Sequence, residues 1–102
     1  MEIFLTLADP SRRRILECLR VGEAAVGELV EDLGASQPAV SRHLRILRDA
    51  GLVEARAEAQ RRVYRLRPEA LRDLDAWLEP YRLLWSGRLD GLGRHLDELE
   101  EP

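Results

Sequence analysis

The stretch Gly34-Ala-Ser-Gln-Pro-Ala-Val-Ser-Arg-His-Leu-Arg-Ile-Leu-Arg-Asp-Ala-Gly51 decides the fold. Ser36 suits an N-cap, and Pro38 falls in the first turn, where its missing N–H costs nothing. Val40, Leu44 and Leu47 then recur at i, i+4 and i+7, the stripe of a helix with one buried face. Gly51 stands where the residue after a helix turns left-handed. Gln37, Ser41, Arg42, Arg45 and Arg48 project from the other face, and all can hydrogen-bond to base edges or phosphates. The stretch is expected to be a DNA-recognition helix. Gln37 and Arg42 are the candidates for base edges, because each can bond bidentately to a base. Ser41 and Arg45 are assigned to phosphates, and Ser36, Ala39 and Arg48 complete the contacting set on this helix.

Working outward, Val26 to Leu33 reads as a shorter helix with Leu29, Val30 and Leu33 inward and Gly34 as its stop. Two helices joined by a tight, glycine-containing turn make a helix-turn-helix over residues 26–50. Before it, Asp9-Pro10 reads as an N-cap followed by proline at the first helical position, opening a helix to about Arg20 that Gly22 ends. Ile15, Leu16 and Leu19 form its inner stripe, and Ser11 to Arg14 a basic first turn. Residues 1–7 are too few to bury Ile3, Phe4, Leu5 and Leu7 alone, so they are expected to dock on the body or on a second subunit. After Gly51, residues 52–56 and 61–66 read as two strands of a hairpin, with Ala57 to Gln60 as a loose turn lacking a tight-hairpin signal. Arg56, Arg61, Arg62 and Arg65 surround that turn. The hairpin, 52–66, is expected to be a wing lying along DNA, with Arg61 and Arg62 on phosphates. Arg56 and Arg65 are equally suited to pair with nearby acids.

Residues 69–100 form a helical tail in which Leu71, Leu74, Leu78, Tyr81 and Trp85 follow a 3-4-3-4 spacing continued in sevens by Leu92 and Leu99. Trp77, Leu84, Leu89 and Leu96 widen its apolar face, and Pro80 is expected to kink the helix or split it. Such a surface exceeds what one small domain can cover. A second copy is the expected cover, with Phe4, Leu5, Leu78, Tyr81, Trp85, Leu89 and Leu92 at the dimer interface.

The 102 residues make one domain. A formal net charge of −3 argues against nucleic acid only when taken globally. Residues 1–35 carry four arginines against seven acids, a net of −3; residues 36–67 carry eight against three, a net of +5; residues 68–102 carry four against nine, a net of −5. The basic middle is a local patch for phosphates, between acidic flanks. All 16 basic residues are arginine, which suits bidentate contacts and equally fits a GC-rich coding sequence. No apolar run reaches the roughly 18 residues of a membrane span. With no basic-then-apolar leader and one cysteine, a cytoplasmic location is expected.

Leu7-Ala-Asp-Pro-Ser-Arg-Arg-Arg-Ile-Leu16, Ser36-Gln-Pro-Ala-Val-Ser-Arg-His-Leu44, Leu47-Arg-Asp-Ala-Gly-Leu-Val53 and Arg61-Arg62-Val63-Tyr64-Arg65-Leu66 resemble the ArsR (ArsR/SmtB) family of bacterial repressors. The tail is similar to non-metal members through Leu78, Tyr81, Trp85, Arg88 and Leu89. The resemblance implies a mainly α fold with a small β-hairpin: a winged helix-turn-helix that dimerises through its first and last helices and represses transcription from double-stranded operator DNA. It departs from the metal sensors. Their Cys-x-Cys position reads Ala25-Val-Gly-Glu-Leu-Val30 here, and of the last-helix ligands only His95-Leu-Asp-Glu98 remains. Half a site cannot supply four zinc ligands, so neither metal nor cofactor is expected.

His43, beside Leu44, reads as a structural histidine, and Cys18 as a small core residue whose sharper alternative is a thiol sensor. Trp77, Tyr81 and Trp85 suit a dimer core or, alternatively, a pocket for an unknown small-molecule effector. A protein-interaction module is the other class of function that an acidic winged helix admits, as is a metal- or thiol-responsive repressor. No catalytic set, phosphate loop or metal cluster points to an enzyme.

Overall fold

The computed structural model describes the backbone of residues 2–100 and the side chains of residues 3–86, so Leu89, Leu92, His95 and Glu98 lie outside the described side chains. In chain order come α1 (Glu2–Ala8), α2 (Pro10–Val21), β1 (Ala24–Ala25), α3 (Val26–Leu33), α4 (Gln37–Asp49), β2 (Val53–Glu58), β3 (Arg61–Leu66), a 3-10 turn (Pro68–Ala70) and α5 (Leu71–Glu100). They divide into two compact units, Met1–Arg72 and Asp73–Pro102.

Local chemistry sets the boundaries. The Asp9 carboxylate accepts the amides of Ser11 (2.7 Å) and Arg12 (3.3 Å), capping α2, with Pro10 first in the helix. Gly22 follows α2 in extended backbone and leads into β1. Ser36 Oγ accepts the Ala39 amide (3.3 Å) at the start of α4. At its end Gly51 adopts φ +77°, donating to the Arg48 carbonyl, while the Leu52 amide donates to Leu47. This is the Schellman arrangement, and its companion apolar contact follows, since Leu47 and Leu52 are both fully buried.

The core of the first unit gathers Ile15 and Leu19 from α2, Leu29 from α3, Val40, Leu44 and Leu47 from α4, and Leu52, Val53, Val63 and Tyr64 from the hairpin. Ile3 and Thr6 bury one face of α1, which packs on α2, while Leu5 stays 73% exposed.

The structure refines the sequence expectation at three points. The sheet has three strands in the order β1-β3-β2, all antiparallel, rather than a lone hairpin. Ala24 pairs with Tyr64 and Ala25 with Val63. Two alanines carry no strand signal; they are strand because β3 offers them an edge and both bury there. The wing turn is also tighter than expected. Pairing continues to Glu58 opposite Arg61, leaving two residues, with Ala59 at φ +56°. Finally, Pro80 does not split the tail, because α5 runs through it as one helix. Proline removes one backbone donor, and the hydrogen bonds on either side carry the helix across the gap. Within α5, Leu71, Leu74 and Leu78 are half-buried, whereas Trp77, Tyr81, Leu83, Leu84 and Trp85 are exposed.

Candidate nucleic-acid interface

The helix α4 presents two distinct faces. At about 100° per residue, buried Val40, Leu44 and Leu47 cluster on one side. Arg42 stands about 140–160° from each of them, at the solvent crest of the helix. Gln37, Ser41, Arg45 and Arg48 share a flank about 80° wide, turned toward the hairpin. That flank and the wing residues Gln60, Arg61 and Arg62 line one open cleft of about 700 Å³, floored by Ala25, Val26, Gly27 and Tyr64. A small-molecule pocket is concave and mostly apolar. This cleft is open and arginine-rich, which suits a polyanion.

Of the nine residues expected to meet DNA, the cleft thus joins six: Gln37, Ser41, Arg45 and Arg48 with Arg61 and Arg62. Arg42 lies on the adjacent crest, and Ser36 and Ala39 at the helix entry, where the Ser36 hydroxyl is used as the cap. Asp49, Gln60 and Tyr64 also line the cleft and were not expected there. Of these, Tyr64 pairs with Ala24 of β1, a pairing that no local pattern announces.

The arginines of the hairpin are not equivalent. Arg56 holds Glu23 with two hydrogen bonds of 2.6 Å and Glu58 with one of 2.8 Å. The bond from Arg56 holds the Glu23 carboxyl below the usual carboxylate range, outweighing partial desolvation, and Arg56 is correspondingly held further in its charged form. Arg65 pairs with Glu54 across the hairpin. These two are the acid-paired strand residues that the sequence left open. Arg61 Nη1 donates to Glu28 Oε1 (3.2 Å), which also accepts the Ala25 amide (3.2 Å) at the start of α3. Arg61, expected on a phosphate, is thus paired with an acid within the domain. Among the described residues, Arg42, Arg45, Arg48 and Arg62 have no acidic partner.

A second arginine arrangement supports the site from behind. Arg12 Nε donates to the Thr6 carbonyl (2.7 Å) and Nη2 to Leu5 (3.2 Å), while Arg13 Nη1 donates to Leu7 (2.6 Å) and Ala8 (3.1 Å). The last four carbonyls of α1, which have no partner within the helix, are thereby satisfied. Arg12 also reaches His43 Nδ1 at 3.5 Å. Arginine can only donate, so this contact requires His43 Nδ1 to accept. His43 is half-buried between α2 and α4, in the structural place expected of it. Asp9 lies beside both. Desolvation raises its carboxyl, but hydrogen bonds from the Ser11 and Arg12 amides, with the charge of Arg12, outweigh that and hold the pKa below its ordinary value.

Residues 9–55 match the sequence profile of the bacterial regulatory proteins of the arsR family. The chain is 45% identical over 91 residues to the HTH-type transcriptional regulator Rv2034 of Mycobacterium tuberculosis, covering 89% of this chain and 82% of that protein. The chain belongs to the arsR family. It is 33% identical over 76 residues to the transcriptional repressor SdpR of Bacillus subtilis, covering 74% of this chain and 84% of the repressor. The fold matches a crystal structure of a possible transcriptional regulator for arsenical resistance with a TM-score of 0.74 and 36% identity, over 89% of this chain and 95% of that one. As an arsR-family protein the chain is a helix-turn-helix transcriptional regulator. Among the described residues no helix is long and apolar enough to cross a membrane.

Proposed function

We propose that this arsR-family regulator is a repressor that binds operator DNA as a homodimer, each copy laying α4 in the major groove with its wing along the adjacent backbone. The observation that carries the reading is the cleft in which Gln37, Ser41, Arg45 and Arg48 meet Arg61 and Arg62. Arg42, exposed on the crest opposite the core, reads base edges together with Gln37. Arg45, Arg48 and Arg62 hold phosphates without first leaving a carboxylate, whereas Arg61 exchanges Glu28 for phosphate.

Pairing of two copies is supported by the exposed Trp77, Tyr81, Leu84 and Trp85, which share one apolar face of α5 of the kind that marks an interface. On α1, Phe4 is half-buried and Leu5 exposed, and both are assigned to the dimer contact. Two recognition helices so paired would enter successive major grooves about 34 Å apart on a near-palindromic site. The positions where metal sensors of the family carry cysteines hold Ala25 to Val30, so release is assigned to a signal other than a metal bound there.

Arg42→Ala is expected to weaken specific binding by about 1–3 kcal/mol, and to relax the base preference at one position of each half-site, with the dimer intact. Titration against a duplex enriched by the protein from a random-sequence pool measures it. Unchanged affinity and preference would show that α4 is not the reading helix.

A further inference from the structure

We infer that Arg14 is a phosphate-binding residue that grips the DNA backbone on the flank of α4 opposite the wing. The inference rests on the reading of α4 as the helix that enters the groove.

The first observation is a run of three arginines at the wrong end of a helix. Arg12, Arg13 and Arg14 lie among the first five residues of α2, whose first turn holds no acid. The positive end of a helix macrodipole disfavours cations there. Arg12 and Arg13 have a compensating use, since they cap the carbonyls of α1. Arg14 has none. It is exposed, and among the described residues neither a carboxylate nor a carbonyl accepts from it. A cation so placed, with no internal partner, is available to an external anion.

The second observation is where α2 begins. Ser11 and Arg14 border one small depression with Ala35, Ala39 and His43, so the start of α2 lies beside the N-terminal half of α4. On the helix surface Ala39 and His43 stand about 120–160° from Ser41 and Arg45, which face the wing. The reading helix is therefore flanked by Arg62 on one side and Arg14 on the other. The major groove is about 12 Å wide and is walled by two phosphate backbones, one on each side of a helix lying in it. The wing meets one wall. Arg14, with the Ser11 hydroxyl beside it, meets the other.

The test compares Arg14→Gln with Arg20→Gln in the 102-residue chain. Arg20 lies in the last turn of the same helix, is also exposed, and has no partner among the described residues, so each variant removes one charge from α2. Binding is titrated over a salt series with two probes, a random-sequence duplex of about three helical turns and a duplex enriched by the protein from a random pool. Arg14→Gln is expected to weaken both to a similar extent, by roughly five- to tenfold at low salt, and to lower the salt slope by about 0.9 per protomer. Arg14→Lys should retain the slope, and Arg20→Gln should change nothing. Circular dichroism confirms that each variant is folded. An unchanged slope for folded Arg14→Gln, with the unaltered protein binding normally, would overturn the inference while leaving α4 as the reading helix. An equal loss from Arg20→Gln would overturn it too, by showing a diffuse charge effect. If the unaltered protein bound neither duplex, the DNA-binding reading itself would fall, and this inference with it.

Discussion

At the scale of single residues, two positions carry costs or pH dependence out of proportion to their size. Ala59 holds φ +56° at the wing tip, a backbone region that disfavours a Cβ by roughly 1–2 kcal/mol. Glycine removes that penalty but adds freedom to the unfolded chain, which offsets roughly 0.4–1 kcal/mol. Ala59→Gly is expected to stabilise the fold by about 0.5–1 kcal/mol in urea unfolding, and a loss of stability would show that the turn is not strained. Asp9 acts through charge. Its native pKa is depressed, so its contribution is fully present above the ordinary carboxyl pKa of about 3.9 and is lost as pH falls through the lower native value. Asp9→Asn should therefore flatten the acid limb of the stability–pH profile below about pH 4, relative to the unaltered chain. An acid limb of unchanged steepness would assign that pH dependence to other carboxylates.

At the scale of elements, pairing with distant partners decides which arginines are structural. The sequence marks Ser11 to Arg14 only as a basic turn, yet Arg12 and Arg13 end α1 by filling its four last carbonyls. A seven-residue helix is far below the length that is stable alone, so α1 depends on those bonds and on buried Ile3 and Thr6. Arg12→Ala leaves two of these carbonyls without their donor and should destabilise by about 1–3 kcal/mol. Hydrogen exchange would show α1 amides opening before those of α4, and equal protection in both would remove the special role of Arg12. The wing shows the same logic. Arg56, Arg61, Arg62 and Arg65 are alike in sequence, but Glu23, Glu28 and Glu54 engage three of them and Arg62 is left to solvent. The partners Glu23 and Glu28 lie 33 residues away from Arg56 and Arg61, beyond any local pattern.

At the scale of the molecule, the tail is the element whose chemistry least fits an isolated copy. Trp77 and Tyr81 stack with ring centroids 4.8 Å apart, yet each is nearly half exposed, as is Trp85. Large aromatics of this kind dominate the energetics of interfaces. Trp85→Glu is expected to raise the dimer dissociation constant by roughly 30-fold or more, about 2 kcal/mol, in sedimentation equilibrium. On the proposed binding of two heads to one near-palindrome, operator affinity should fall in parallel at low protein concentration. A variant with unchanged mass distribution would place the dimer contact elsewhere.

Much of this protein is determined locally and is therefore legible in sequence. The caps Asp9 and Ser36, the stop at Gly51 and the stripe Val40–Leu44–Leu47 each rest on neighbours within a turn or two, and the structure forms α2 and α4 between them. The polar face of α4, from Gln37 to Arg48, follows from the same 3.6-residue period. Tertiary structure alone decided the rest: the Ala24–Ala25 strand, the extent of pairing that leaves a two-residue turn, and which arginines are paired. The physical reason is reach. A cap or a helical stripe is specified by residues within about four positions, whereas a strand edge or an ion pair depends on a partner that only folding brings near.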